Sequence, residues 1–137
     1  MLSRVLMVVS AAIIFVLGVV HLVYTFSGPK LTPRDPSLIV SMSVTSPVLT
    51  RETTMWKAWV GFNASHSMGA ILFGLIYGYL AVVRQDVLFT SPFLIVVGLA
   101  MLGGFVLLGK LYWFSIPFRS VCVSLVCYVA SVVASRV

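Results

Sequence analysis

The chain has 137 residues, 61% of them hydrophobic and 9% charged, with a formal net charge of +6 and a mean hydropathy of +1.14. A soluble domain carries about 25% charged residues, so this composition excludes a water-facing surface, and with it disorder, a collagen or coiled-coil repeat and a disulfide scaffold. The chain is expected in a lipid bilayer, and its Lys and Arg stand one or two at a time between apolar runs, without the basic stripe of a nucleic-acid-binding protein.

A bilayer-crossing helix needs about 20 mostly apolar residues, and four such stretches follow one another along the chain. The first covers about 5–26. Its apolar run is too long for the h-region of a signal peptide and no small-residue cleavage pattern follows it, so it is read as a retained span. The next segment, about 27–55, holds Pro29, Pro33, Pro36 and Pro47 but also Leu31, Leu38, Ile39, Val40, Met42, Val44, Val48 and Leu49. It is too apolar for a solvated linker. Asp35 before Pro36 predicts an N-cap and first turn of a short helix running to about Val44, which would lie on the interface or fold back over one end as a cover or a ligand lid.

The second span is expected over about 59–83 and the third over 92–111, joined by a short turn at Arg84, Gln85 and Asp86. Ser91 and Pro92 suit the start of the third, and Pro117 that of the fourth, about 117–134. Short connections make successive helices antiparallel neighbours. Cys122 and Cys127, five apart in the last span, match neither a metal-binding nor a thioredoxin-like spacing and are read as free thiols that pack. The expected fold is all-α: a single integral membrane domain, a four-helix transmembrane bundle with a partly helical first loop capping one end.

Sidedness follows from charge. The first and third loops hold Lys30, Arg34, Arg51, Lys57, Lys110 and Arg119, against Arg4, Arg84 and Arg136 on the other side. Six against three places the first loop in the cytoplasm and both termini outside under the positive-inside rule. Trp56, Trp59, Tyr112, Trp113 and Phe118 form an interfacial belt where those two loops enter the membrane.

Lipid removes the hydrophobic drive between helices, so small residues that permit close approach carry the packing. Ala70, Gly74 and Gly78 form one such stripe in the second span and Gly61, Ser65 and Gly69 an adjacent one. The third span offers Gly98, Gly103 and Gly104. Ser120, Ser124, Cys127, Ser131 and Ser135 make a polar seam along the fourth.

Ionisable groups inside a bilayer are functional candidates by default. His21 stands about five residues before the end of the first span and His66 about seven past Trp59, so at a rise of about 1.5 Å per residue antiparallel helices bring them to nearly one depth. Tyr24 and Thr25 follow His21 by three and four residues; Asn63 precedes His66 by three, and Ser67 is adjacent. Three readings fit. One is an interhelical hydrogen-bond network. Another is a pocket for a lipid-like small molecule such as a quinone, sterol or prenyl chain, with His21, Tyr24, Thr25, Asn63, His66 and Ser67 at its mouth and Arg34, Arg51 or Arg119 meeting a headgroup. The third makes His21 and His66 axial ligands of a haem b or ligands of a metal. Asp35, Glu52 and Asp86 all fall in loops or at span ends, so no carboxylate is placed for acid–base work in the membrane, and no nucleophile elbow or phosphate-binding glycine loop is present.

The segments His21-Leu22-Val23-Tyr24-Thr25-Phe26, Pro33-Arg34-Asp35 and Trp56-Lys57-Ala58-Trp59-Val60-Gly61-Phe62-Asn63-Ala64-Ser65-His66-Ser67-Met68-Gly69 resemble an uncharacterised family of small bacterial four-span membrane proteins. That resemblance implies membership and supplies no activity. A looser similarity, of topology alone, is to the sterol isomerase and sigma-2 receptor superfamily, with a histidine late in the first span and a tryptophan-bearing entry to the second. Members of that superfamily rely on acidic residues inside the bundle, which this sequence lacks, so what the similarity implies here is ligand binding without isomerase chemistry. The functional expectation is therefore a binder of a lipid-like molecule, with an accessory subunit of a larger membrane complex or a homo-oligomer as the alternative.

Overall fold

Apolar chain in a medium without water must close its own backbone hydrogen bonds, and this chain does so in helices alone. The computed structural model describes all residues 1–137. Its helices are α1 (Leu2–Phe26), α2 (Pro36–Val44), α3 (Met55–Val83), α4 (Gln85–Thr90), α5 (Pro92–Tyr112) and α6 (Ser115–Ala134). Of these, α1, α3, α5 and α6 are long and apolar enough to cross a membrane.

The helix ends follow their caps. Asp35 accepts from the Ser37 N–H at 2.9 Å and from the Ser37 hydroxyl at 2.8 Å, which starts α2 where the sequence places it. Those two hydrogen bonds, the hydroxyl's first, hold the Asp35 carboxyl below the usual carboxylate range. The cap is therefore intact above that range and is lost as pH falls through the depressed value. No residue of α2 is buried. Ser91 accepts from the Leu94 N–H at 3.4 Å ahead of Pro92 and opens α5 as expected.

Four boundaries differ from the sequence reading, the first being that α1 starts at Leu2, three residues earlier. α3 starts at Met55, four residues earlier, because the Thr54 hydroxyl accepts from the Lys57 N–H at 3.4 Å. α6 starts at Ser115 behind Phe114, which makes no side-chain cap, so Pro117 is its third residue. The turn between the second and third spans contains the one-and-a-half-turn helix α4, begun by Arg84, whose guanidinium pairs with Asp86 at 3.4 Å.

The chain divides into two compact units, Met1–Leu17 with Ala70–Val137, and Gly18–Gly69. In the first, α1, α3, α4, α5 and α6 pack around Met7, Ile14, Phe73, Tyr77, Leu88, Leu102, Val121 and Tyr128. Polar side chains join them pairwise. Ser10 of α1 and Ser124 of α6 each donate to the other's carbonyl, at 2.9 and 3.0 Å, and Ser131 donates to the Ser3 carbonyl at 2.6 Å. Tyr77 of α3 donates to the Leu94 carbonyl of α5 at 2.6 Å, and Tyr128 of α6 to the Ile95 carbonyl at 3.1 Å. The two tyrosine rings meet edge to face at 5.8 Å. No buried side-chain polar atom is left without a partner, as a water-free interior requires.

The small residues divide into those that touch a neighbour and those that do not. A Cβ on Gly74 would lie 2.6 Å from Phe15 Cβ and 2.8 Å from the Ala11 carbonyl, and one on Gly98 would collide with the Tyr128 phenol. At Gly61, Gly69, Gly103 and Gly104 an added Cβ meets nothing within 4 Å. So Gly74 and Gly98 carry close approach, while the Gly61–Ser65–Gly69 stripe and the Gly103–Gly104 pair do not. Within the serine seam, Ser124 and Ser131 bond to α1, whereas Ser120 and Ser135 bond back to carbonyls of their own helix.

Gly98→Ala and Gly74→Leu should each lower stability by about 1–3 kcal/mol, the cost of overpacking. Gly69→Ala and Gly103→Ala should leave it unchanged or raise it by up to ~1 kcal/mol through helix propensity. Unfolding in detergent measures all four, and equal losses in both pairs would refute this division.

Candidate functional site

The second unit, Gly18–Gly69, contains the end of α1, the first loop with α2, and the first half of α3. After α1 the chain turns through Gly28 at φ +80°, a left-handed conformation that a residue with a Cβ adopts only at a cost. The loop is then fastened to α3 twice. The Trp59 indole N–H donates to the Leu31 carbonyl at 3.1 Å, and the Met55 N–H donates to the Thr45 carbonyl at 2.8 Å.

Beneath these ties lies the polar cluster. His21 Nε2 is 2.9 Å from Asn63 Oδ1, and the Asn63 amide Nδ2 donates to the Trp59 carbonyl at 2.8 Å. A carbonyl only accepts, so the amide orientation is set. Its Oδ1 faces His21, and Nε2 must carry the proton. In the neutral ring Nδ1 is then the acceptor nitrogen. The His66 ring meets the His21 ring edge to face, with centroids 5.5 Å apart. Although α3 starts earlier than the sequence indicates, the two histidines stand at one depth as their spacing predicts, and their rings converge, which spacing alone does not fix.

The neighbours of these residues serve the backbone. Thr25 donates to the His21 carbonyl at 2.8 Å, and Ser67, fully buried, to the Asn63 carbonyl at 2.8 Å. Both are helical i to i−4 bonds, in which a hydroxyl finds its acceptor without leaving its own helix. Asn63 itself is 8% exposed. Tyr24 and Thr25 line a cavity of about 10 Å³ with Asn63, Thr32, Trp56 and Trp59. That volume suits one water-sized group.

Of the residues singled out in the sequence, His21, Asn63 and His66 are brought together, Tyr24 and Thr25 line the adjoining cavity, and Ser67 supports Asn63. Arg34 is exposed in the loop, and Arg119 is exposed on α6, in the other unit. The sequence reading gave Trp56, Trp59, Leu31 and Thr32 no part in the site. Its signal was present in the i, i+4 step from Trp59 to Asn63, which puts both on one helix face.

A haem held by two imidazoles sits in a slot between them. Here the rings meet edge to face and the adjoining cavity is water-sized. No third His, Cys, Asp or Glu joins the pair into a group that could hold a metal ion. Asp35 and Glu52 are exposed in the loop. What the arrangement offers chemically is one fixed amide, an imidazole held by it and a second imidazole edge to face with the first.

These features define a multi-pass membrane protein with four spanning helices and a polar cluster on the first two. Comparison with protein-family models, curated proteins and solved structures found no match to this chain.

The His21–Asn63 contact should be measurable as a coupling. In a cycle of His21→Ala, Asn63→Ala and the double variant, unfolding in detergent should give an interaction energy of about 0.6–2 kcal/mol. Additive losses would mean that the two side chains do not meet in the membrane.

Proposed function

We propose that this protein binds a lipid-like small molecule, a quinone, sterol or prenyl compound, at the His21, Asn63 and His66 cluster. The observation that carries the reading is the fixed Trp59–Asn63–His21 chain, in which Asn63 holds one imidazole nitrogen of His21 and itself lines a water-sized cavity with Tyr24, Trp56 and Trp59. The polar head of an amphiphile, a hydroxyl or a carbonyl, is of that size. Its apolar body would stay in lipid, along side chains such as Val23 and Phe62 that face outward at 51% and 71% exposure. Trp56, Trp59 and Tyr24 provide the amphipathic aromatic surface suited to the headgroup level. On this reading the chain resides in a bacterial inner membrane with its first loop in the cytoplasm, and Arg34 meets an anionic headgroup there.

Purification in mild detergent, an absorption spectrum in oxidised and reduced states, and extraction with mass spectrometry test the proposal on one sample. One lipid-like species should be enriched over the bulk membrane extract from the wild type, and His66→Ala or Asn63→Ala should reduce that enrichment about tenfold or more, the loss expected when one buried polar contact worth about 1.4 kcal/mol is removed. A lipid profile equal to bulk in all samples would overturn it. So would a Soret band that disappears in His21→Ala, which would make the cluster a haem site, or stoichiometric co-purification of a partner protein that survives His66→Ala.

A further inference from the structure

The first unit, which contains no histidine, carries an open apolar groove of about 440 Å³ between α1 and α3. Its floor is where the two helices touch, at Gly74 and Gly78, and its walls are Val8 and Phe15 on one side and Leu75 and Tyr79 on the other. From Leu75 to Val83 it is about 12 Å long, at ~1.5 Å per residue. The volume falls within the range of about 300–1,000 Å³ typical of small-molecule sites.

One end of the groove is basic. Arg4 is one helical turn before Val8, and Arg84 follows directly after Val83, so both stand at the same mouth. The Ser131 to Ser3 hydrogen bond brings the end of α6, with Arg136, to that level as well. Asp86 is the one acid there, and it already pairs with Arg84; Arg4 and Arg136 have no carboxylate within ion-pair distance. An apolar trough ending among three arginines is complementary to an anionic amphiphile. It is not complementary to a second copy of this chain. Two copies of the same topology are related by an axis along the membrane normal, which would set a second Arg4, Arg84 and Arg136 beside the first.

We propose that this groove is a binding site for an anionic glycerophospholipid, one acyl chain lying along Gly74 and Gly78 and the phosphate at Arg4 and Arg84. The site is independent of the histidine cluster and stands whether or not that cluster binds a ligand.

Native mass spectrometry of the full chain in mild detergent, with equal amounts of phosphatidylglycerol and phosphatidylcholine, tests it. The wild type should retain one phosphatidylglycerol over phosphatidylcholine by at least about fivefold, the contribution of one arginine near an anionic lipid. Gly78→Leu should abolish retention; a Cβ at Gly78 meets only Ala11 Cβ, at 3.8 Å, so the helices need not part. Ala12→Leu, on the exposed groove wall, should do the same without touching the helix contact. Arg4→Gln with Arg84→Gln should make the two lipids equal. Equal retention by the wild type would overturn the proposal, as would retention unchanged in both groove variants or a two-chain mass without lipid.

Discussion

Everything in the first unit depends on how closely α1 can approach α6, and that distance is set by two serines. Ser10 and Ser124 each give their proton to the other's backbone carbonyl, which a larger side chain at either position would prevent. In water such an exchange would be worth little, because the same carbonyls could bond to solvent. In lipid the alternative partner is absent and apolar contact is no better than contact with acyl chains. The polar pair therefore sets a geometry that hydrophobicity cannot, and the Tyr77 and Tyr128 bonds to neighbouring carbonyls of α5 extend the same device to the remaining helices.

The second unit uses polarity differently. Its central amide is shared between a carbonyl on its own helix and an imidazole on another, so the helix contact and the protonation pattern of His21 are one fact. The bonds that support it, from Thr25 and Ser67, stay within single helices. Beside the amide is a space for one small polar group among Tyr24, Trp56 and Trp59, a modest apparatus for chemistry and a sufficient one for recognition.

Much of the architecture is legible in the sequence because the bilayer imposes length and polarity so strictly. The four spans, the Asp35 cap and the common depth of His21 and His66 all follow from counting residues. Helix rotation does not. When every face of α3 is apolar, nothing in periodicity distinguishes the stripe at Gly74, which meets Phe15, from the stripe at Gly61 and Gly69, which meets nothing. The same ambiguity conceals Tyr77 and Tyr128, which read as generic aromatics until their hydroxyls are seen on α5 carbonyls. The place of Arg119 within α6 is equally invisible, since charge near a span end marks a side of the membrane and not a helix boundary.

The absence of buried residues on α2 bears on how the protein can be handled. A helix of nine residues is too short to persist in water on propensity and one cap alone, and within the protein α2 adds to them only the partial cover of Ile39 and Met42. The rest of its order must come from whatever apolar surface surrounds it. The first loop will therefore report the medium: the choice of detergent or lipid disc sets whether α2 is folded, and preparations that look identical by the order of their spanning helices can differ in the segment that lies over Trp59 and Asn63.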